Sequence, residues 1–280
     1  MTKATIAGCG AIALWSCLAL LSRAAAGVPP LELTALCFAV SATAGLGVLA
    51  AIGRLRELWQ PPIAWAHGVG GLFGFHALYF ASLGLAPPAE ANLINYAWPL
   101  LIVLLSPPIL GLRLTARHIG GATLAAAGCA TLLGAHARFA PGAAVGYGLA
   151  LGSALTWALY SVLARRLARV PTGAVAGFCA VSAVLAGLAH RVFEPSVVPD
   201  SGSLAAILAL GLGPVGGAFF LWDVGMKRGD PVLLGTLAYL TPVASTLLLV
   251  VAGWAPPSWS LAMAALMVAA GGVLASMRQA

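Results

Sequence analysis

Apolar residues run along this chain in stretches of about twenty, with polar positions grouped in short breaks between them. Proline, glycine and charged clusters divide it into ten such stretches, near residues 4–22, 31–52, 62–84, 88–110, 116–136, 143–164, 172–190, 203–226, 230–252 and 258–277. A helix needs roughly 20 apolar residues to cross the hydrocarbon core of a bilayer, so each stretch predicts one spanning helix. The runs lack the period-two alternation of an outer-membrane barrel, and an open sheet edge in lipid would leave backbone groups unpaired. The expected fold is an all-α integral membrane protein with ten transmembrane helices.

The breaks recur in register. Tyr96-x-x-Pro99 and Tyr239-x-x-Pro242 stand 143 residues apart, as do Gly70 and Gly213, Gly74 and Gly217, Pro88 and Pro231, and Gly128 and Gly271. Earlier pairs, including Trp15 and Trp157, Arg23 and Arg165, and Pro29 and Pro171, stand 142 apart. Matched Trp, Tyr and Pro positions point to an internal duplication, with repeats over 1–138 and 139–280. Five spans per repeat means that the second half enters the membrane from the opposite side, so the repeats are expected to be inverted. Inverted repeats around a midplane site are a recurring transporter design. Lys3, an apolar run and Ala24-Ala25-Ala26 imitate a signal peptide, but the repeat of this segment around Trp157 lies in mid-chain and argues against its removal.

Composition agrees: 61% of the 280 residues are hydrophobic and 8% are charged, which excludes an ordinary water-soluble globule. The net charge of +7 calls for no nucleic acid, because its position explains it. Lys3, Arg54, Arg56, Arg113, Arg117, Arg165, Arg166, Arg169, Lys227, Arg228 and Arg278 fall on one side of the expected spans, against Arg23, Arg138 and Arg191 on the other. By the positive-inside rule both termini are expected in the cytoplasm, with the protein in an inner (plasma) membrane. Cys9, Cys17, Cys37, Cys129 and Cys179 lie within spans without Cys-x-x-Cys or histidine neighbours, so they read as small apolar residues rather than a disulfide or metal site, and no cofactor is implied.

Candidate chemistry is sparse and central. Pro99 and Pro242 each remove a backbone hydrogen bond within a span, predicting kinks in spans four and nine beside a cavity. Gly70-x-x-x-Gly74 and Gly213-x-x-x-Gly217 predict close helix packing in spans three and eight. Ionisable groups inside a membrane are costly and usually functional. His76 reads either as a satisfied buried histidine or as a substrate or proton-handling group. Asp223 reads either as an ammonium ligand or as a partner of Lys227 one turn on. Glu90 sits in a first helical turn, where the dipole favours a carboxylate. Trp15, Tyr79, Tyr96, Trp98, Trp157, Tyr160, Trp222 and Tyr239 lie deep in spans, and with Asn92 and Asn95 they predict an aromatic cavity with hydrogen-bonding groups. Asn92, Asn95 and Trp98 align with Gly235, Ala238 and Thr241, which places selectivity on the span-four side.

Leu110-Gly111-Leu112-Arg113-Leu114-Thr115 followed by Gly120-Gly121-Ala122 resembles a turn typical of the drug/metabolite transporter superfamily in its ten-span EamA-like branch, with Leu112 where that branch commonly carries Glu. The runs Asn92 to Pro99 and Trp222 to Asp230 are similar to those of the branch's aromatic amino acid exporters. The resemblance implies an exporter that moves amino acids, aromatic ones among them, by alternating access through a central cavity. The residues alone point to a transporter with an aromatic cavity, and leave open another small-metabolite or drug exporter. Arginines confined to span ends leave no basic cavity for a nucleotide sugar. The chain carries no His-Glu-x-x-His, Asp-Asp-x-x-Asp or Gly-x-Ser-x-Gly, so a membrane enzyme is not expected. The expected partners are amino acids and the bilayer, with a monomer as the working unit. The expected lining is Trp15, His76, Tyr79, Asn92, Asn95, Tyr96, Trp98, Trp157, Tyr160 and Tyr239, with His76 and Asp223 as candidates for proton coupling.

Overall fold

The computed structural model describes residues 1–134, 137 and 139–277. The apolar stretches form ten helical segments: α1 Lys3–Ala24, α2 Pro30–Ala51, α3 Pro62–Leu85, α4 Pro88–Leu110, α5 Ala116–Leu133, α6 Ala144–Ala164, α7 Ala174–Phe193, α8 Ser201–Arg228, α9 Pro231–Val251 and α10 Trp259–Ser276. Among the described residues, nine of these are long and apolar enough to cross a membrane, and α5 falls short because Arg117 and His118 occupy its first turn. No strand occurs among the described residues. The chain is an all-α, multi-pass membrane protein.

Local sequence sets the boundaries. Pro30, Pro62, Pro88 and Pro231 open their helices, where a missing N–H is no loss. Thr115 and His118 cap α5 reciprocally, and Asp230 accepts from Val232 and Leu233 at the start of α9. Asp200 caps α8, and the Ser203 amide holds its carboxyl below the usual carboxylate range. Gly111 closes α4 in the left-handed region, φ 69°, which side chains adopt at a cost.

Among the described residues, four spans are interrupted. Pro99 cannot donate to Asn95, so α4 breaks at Tyr96 and Ala97 and restarts at Trp98 with proline second, where no donor is needed. α9 breaks likewise at Ala238 and Tyr239, ahead of Pro242. The bends therefore form about one turn before their prolines. α1 changes course at Cys17. The fourth break, in α8, departs from expectation. Gly213–Gly217 forms a π turn around Pro214, whose repeat position in α3 is Gly71, and α3 runs unbroken. A side chain on Gly216 would collide with the Gly211 carbonyl, so only glycine fits the turn. The expected packing at Gly70 and Gly74 is also absent: a Cβ on Gly70 would meet nothing, and Gly68 against Phe178 and Gly71 against Tyr160 make the close approaches of α3.

α5 lies along α10, α2 along α7, α3 along α6, and α1 along the second part of α8. The α5–α10 crossing is built on glycine. Gly121 abuts the Gly271 carbonyl, and Gly128 abuts the Ala264 carbonyl. The repeat offset of 143 carries Gly121 to Ala264 and Gly128 to Gly271, so it exchanges the two contacts. The main core joins α1, α2, α3, α4, α6, α7, α8 and α9, while a second cluster around Ala125, Cys129, Ala264 and Val268 joins α5 and α10 to α9.

Helix ends are tied by charge. At one face, Arg165 donates to the Gly229 carbonyl (2.7 Å) and Arg166 to that of Ile109 (2.7 Å), clamping the ends of α6, α8 and α4. At the other, Glu194, beyond the end of α7, accepts from the Leu31 and Glu32 amides at the start of α2 and pairs with His190 (3.0 Å). Glu57, beyond the end of α2, lies against Gly173 at the start of α7. Each helix of the α2–α7 pair thus receives a carboxylate from the loop that follows its partner, where the helix dipole favours one. Arg138 and Arg278 lie outside the described residues.

Candidate functional site

Four tryptophans from four spans meet at the centre. Trp15 sits on α1 just before its break, and its ring centroid lies 5.0 Å from Trp222, 5.7 Å from Trp157 and 6.2 Å from Trp98. Trp98 completes the group at 6.0 Å from Trp222 and 6.4 Å from Trp157. Most pairs are edge-to-face, with interplanar angles of 74–88°, the arrangement favoured by ring quadrupoles. The kink of α4 places Trp98 here, because it restarts the helix one residue before Pro99.

Two indole N–H groups find specific acceptors. Trp15 Nε1 donates to the Pro214 carbonyl in the π turn of α8 (3.0 Å), and Trp222 Nε1 donates to the Ser161 hydroxyl on α6 (3.0 Å). A buried indole without a partner would carry the cost of a desolvated donor. The π turn thus aims a backbone acceptor at α1.

The cluster extends along α3. His76 stands among Phe75 (5.1 Å), Phe38 (5.2 Å), Phe80 (6.1 Å) and Phe219 (6.3 Å). Its Nδ1 lies 2.7 Å from the Leu72 carbonyl, which makes Nδ1 the protonated nitrogen of the neutral ring and Nε2 an acceptor. Tyr79 stacks on Phe75 and donates its hydroxyl to the Asn92 side-chain carbonyl (3.0 Å). Asn95 accepts from Ser153 on α6 (2.7 Å). Tyr160 packs beside Trp157 (5.1 Å) and against His67 (4.8 Å), whose Nε2 lies 2.9 Å from the Tyr160 carbonyl.

Exposure divides this group. Trp98, Trp157, Tyr160, Trp222 and Asn95 are buried, whereas Trp15, His76, Tyr79 and Asn92 are partly accessible. A wall of ring faces with an acceptor nitrogen, a phenol and an amide at its accessible edge can hold a flat apolar group and bind polar groups attached to it. Tyr96 and Tyr239 are placed differently from the rest. They pack with Cys129, Val243 and Leu261 in the cluster shared with α5 and α10. Gly235, the repeat partner of Asn92, lets α9 approach the Pro99 carbonyl of α4, so that position serves packing in one half and a side chain in the other.

Asp223 belongs to a separate buried group. Lys227 Nζ lies 2.8 Å from its Oδ1 and donates to the Val170 carbonyl (2.8 Å), while Thr172 donates to Oδ2 (2.6 Å). Both charged side chains are 5% exposed. Of its two sequence readings, pairing with Lys227 is the one seen. An enclosed space of about 10 Å³ between His67, Tyr160, Asp223 and Lys227 is the size of one water. Glu90 is buried in the first turn of α4. Among the described residues, no group of three or more His, Cys, Asp or Glu side chains could hold a metal ion.

Phe38, Ser153, Ser161 and Thr172 were not singled out from sequence. Ser153 and Ser161 lie one turn either side of Trp157, a spacing that marks them as sharing its face. Phe38 sits in an apolar run with nothing to distinguish it.

The sequence matches the EamA-like transporter family twice, over residues 2–134 and 144–277. It is 51% identical to an aromatic amino acid exporter, YddG, of Ancylobacter novellus, over 99% of this chain and 98% of that protein. It is 28% identical to the protein of that name in Salmonella typhimurium, over 97% of this chain and 96% of the relative. A crystal structure of a protein 52% identical superposes with a TM-score of 0.94, covering 98% of this chain and 97% of the other.

Proposed function

The chain belongs to the EamA-like transporter family, and on that premise we propose that it exports aromatic and other apolar amino acids across a bacterial inner membrane. The observation that carries this reading is the meeting of Trp15, Trp98, Trp157 and Trp222 from four different spans, with His76, Tyr79 and Asn92 at the accessible edge. The rings take the substrate side chain by stacking and edge contacts. His76 Nε2 accepts a substrate N–H, and the Asn92 amide and Asn95 take part in holding the amino and carboxyl ends.

In this reading the lining is Trp15, His76, Tyr79, Asn92, Asn95, Trp98, Trp157 and Tyr160, with Tyr96 and Tyr239 supporting the kinks from the α5–α10 side. Residues 1–138 and 139–280 act as inverted repeats, and the kinks of α4 and α9 let the two faces open in turn. The basic face holding Arg165, Arg166 and Lys227 is cytoplasmic, as are both termini. Asp223 is committed to Lys227 and Thr172, so transport runs as facilitated diffusion with His76 as a neutral ligand. Amino acids and lipid are the partners of a working monomer, and the role is transport rather than catalysis.

The test is flux of labelled tryptophan and phenylalanine into liposomes containing the purified protein, against Trp98→Ala and Trp157→Ala. The expected result is saturable flux, reduced about twofold to tenfold in either variant, since an aromatic pair contributes about 0.5–1.5 kcal/mol beyond its area and about 1.4 kcal/mol is tenfold. Folded protein with no flux of either amino acid defeats the reading. Flux that responds to an imposed pH gradient and loses the response in His76→Ala defeats the facilitated-diffusion part alone.

A further inference from the structure

A second concavity is lined in part by Gly216 and Gly217 of the π turn. We propose that it is a lipid site, holding one acyl chain of an aminophospholipid with its head group on Arg54 and Glu57. The groove has a volume of about 330 Å³ and is walled by α2 and α8. Gly45 and Val48 line it from α2, and Leu212, Gly217 and Phe220 line it from α8. Its α2 wall runs from Ser41 to Leu49, about 12 Å at the rise of a helix.

Two observations name the occupant. The first is where the groove opens. Val48 is 58% and Leu212 56% exposed, and both lie within spans, so the mouth faces the hydrocarbon and not water. A space of this size at that depth is filled by the chains around it, and its lining offers them apolar contact. The second is the charge at its end. Arg54 and Glu57 form an ion pair in the loop after α2, with the Arg54 side chain 62% exposed and the Glu57 side chain 14% exposed against Gly173. A guanidinium carries five N–H donors, so pairing with one carboxylate leaves others for a phosphate. The Glu57 carboxylate beside it accepts from a primary ammonium.

Phosphatidylethanolamine carries both groups at the right separation of sign. Phosphatidylglycerol offers Arg54 its phosphate but brings no cation to Glu57, and the quaternary ammonium of phosphatidylcholine has no N–H to donate. The floor of the groove is the π turn itself, through Gly216 and Gly217, and the same turn presents the Pro214 carbonyl to Trp15. A chain in the groove therefore braces the element that positions the first tryptophan of the cluster.

The experiment does not depend on the transported substrate. The full protein is placed in nanodiscs of equimolar phosphatidylethanolamine, phosphatidylglycerol and phosphatidylcholine, released into mild detergent, and weighed intact with its retained lipid. Ala44→Phe fills the groove from α2, and Val48→Trp fills its mouth from an exposed position; Glu57→Gln removes one head-group contact. The expected result is one phosphatidylethanolamine per chain, with retention at least fivefold lower in both filled variants. Glu57→Gln should lower its preference over phosphatidylglycerol on the order of fivefold, the size of one interfacial charge contact. Equal retention of the three lipids, unchanged retention in a filled variant that elutes as monodisperse protein, or a dimer dissociated by Val48→Trp with no bound lipid would each overturn the proposal.

Discussion

Replacing Lys227 with Met leaves Asp223 as a charge in a closed apolar setting. Both side chains are 5% exposed, and the lysine reaches the carboxylate at 2.8 Å and the Val170 carbonyl at 2.8 Å, so solvent screens little of the interaction. Removing one member of such a pair costs about 3–5 kcal/mol, most of it from the uncompensated charge left behind. Chains of this size shift by roughly 2 °C per kcal/mol, so Lys227→Met should melt about 6–10 °C lower. Removing both charges, as Asp223→Leu with Lys227→Met, should recover most of the loss, because well-packed apolar replacements of a buried pair are often neutral. The remaining deficit lies in the Thr172 hydroxyl, which loses its acceptor at a cost of about 1–3 kcal/mol, and in the Val170 carbonyl, which loses its lysine donor. The assay is thermal unfolding of the four proteins of the cycle in one detergent, read by loss of monodisperse protein. A single variant within about 2 °C of the parent, or a double variant as unstable as the single, would refute the reasoning.

Gly216→Ala should give little folded protein, since its Cβ would collide with the Gly211 carbonyl, while Gly70→Ala should be tolerated because nothing lies near its Cβ; monodisperse yield after detergent extraction separates them. Ser161→Ala leaves the buried Trp222 indole without its acceptor and should cost about 1–3 kcal/mol, seen as a lower melting temperature than Ser161→Thr. Glu194→Gln keeps the shape at the start of α2 but weakens charge-assisted bonds from Leu31, Glu32 and His190, and should destabilise by a similar amount in the same melt.

The spans and the tryptophan cluster were legible because both rest on side-chain identity. An apolar run of membrane length admits one solution, Trp15 and Trp157 stand in matched registers, and Trp98 directly precedes a matched proline. The Tyr-x-x-Pro signal located the kinks, but it carried no sign that α5 and α10 pack against Tyr96 and Tyr239, which only the arrangement of those helices decides. The π turn had one visible sign, Pro214 where the repeat has Gly71, but a change in hydrogen-bond ladder follows from backbone geometry rather than from composition. Most of what positions the site is similarly anonymous in sequence. The acceptors on Pro214, Gly229 and Ile109 are carbonyls that any residue would supply, and Thr172 reaches Asp223 from a loop 51 residues away.

The glycine crossing of α5 and α10 carries a further meaning. An offset that exchanges its two contacts makes the crossing self-complementary, the property of an isologous surface in a two-fold dimer. One polypeptide here contains both copies of such a surface, so it meets its own partner at a fixed ratio and in a fixed orientation. If the halves were made as separate chains, 1–138 and 139–280, this crossing would be a seam along which they could find each other, and a bulky residue at Gly121 or Gly271 would block the same contact from either side.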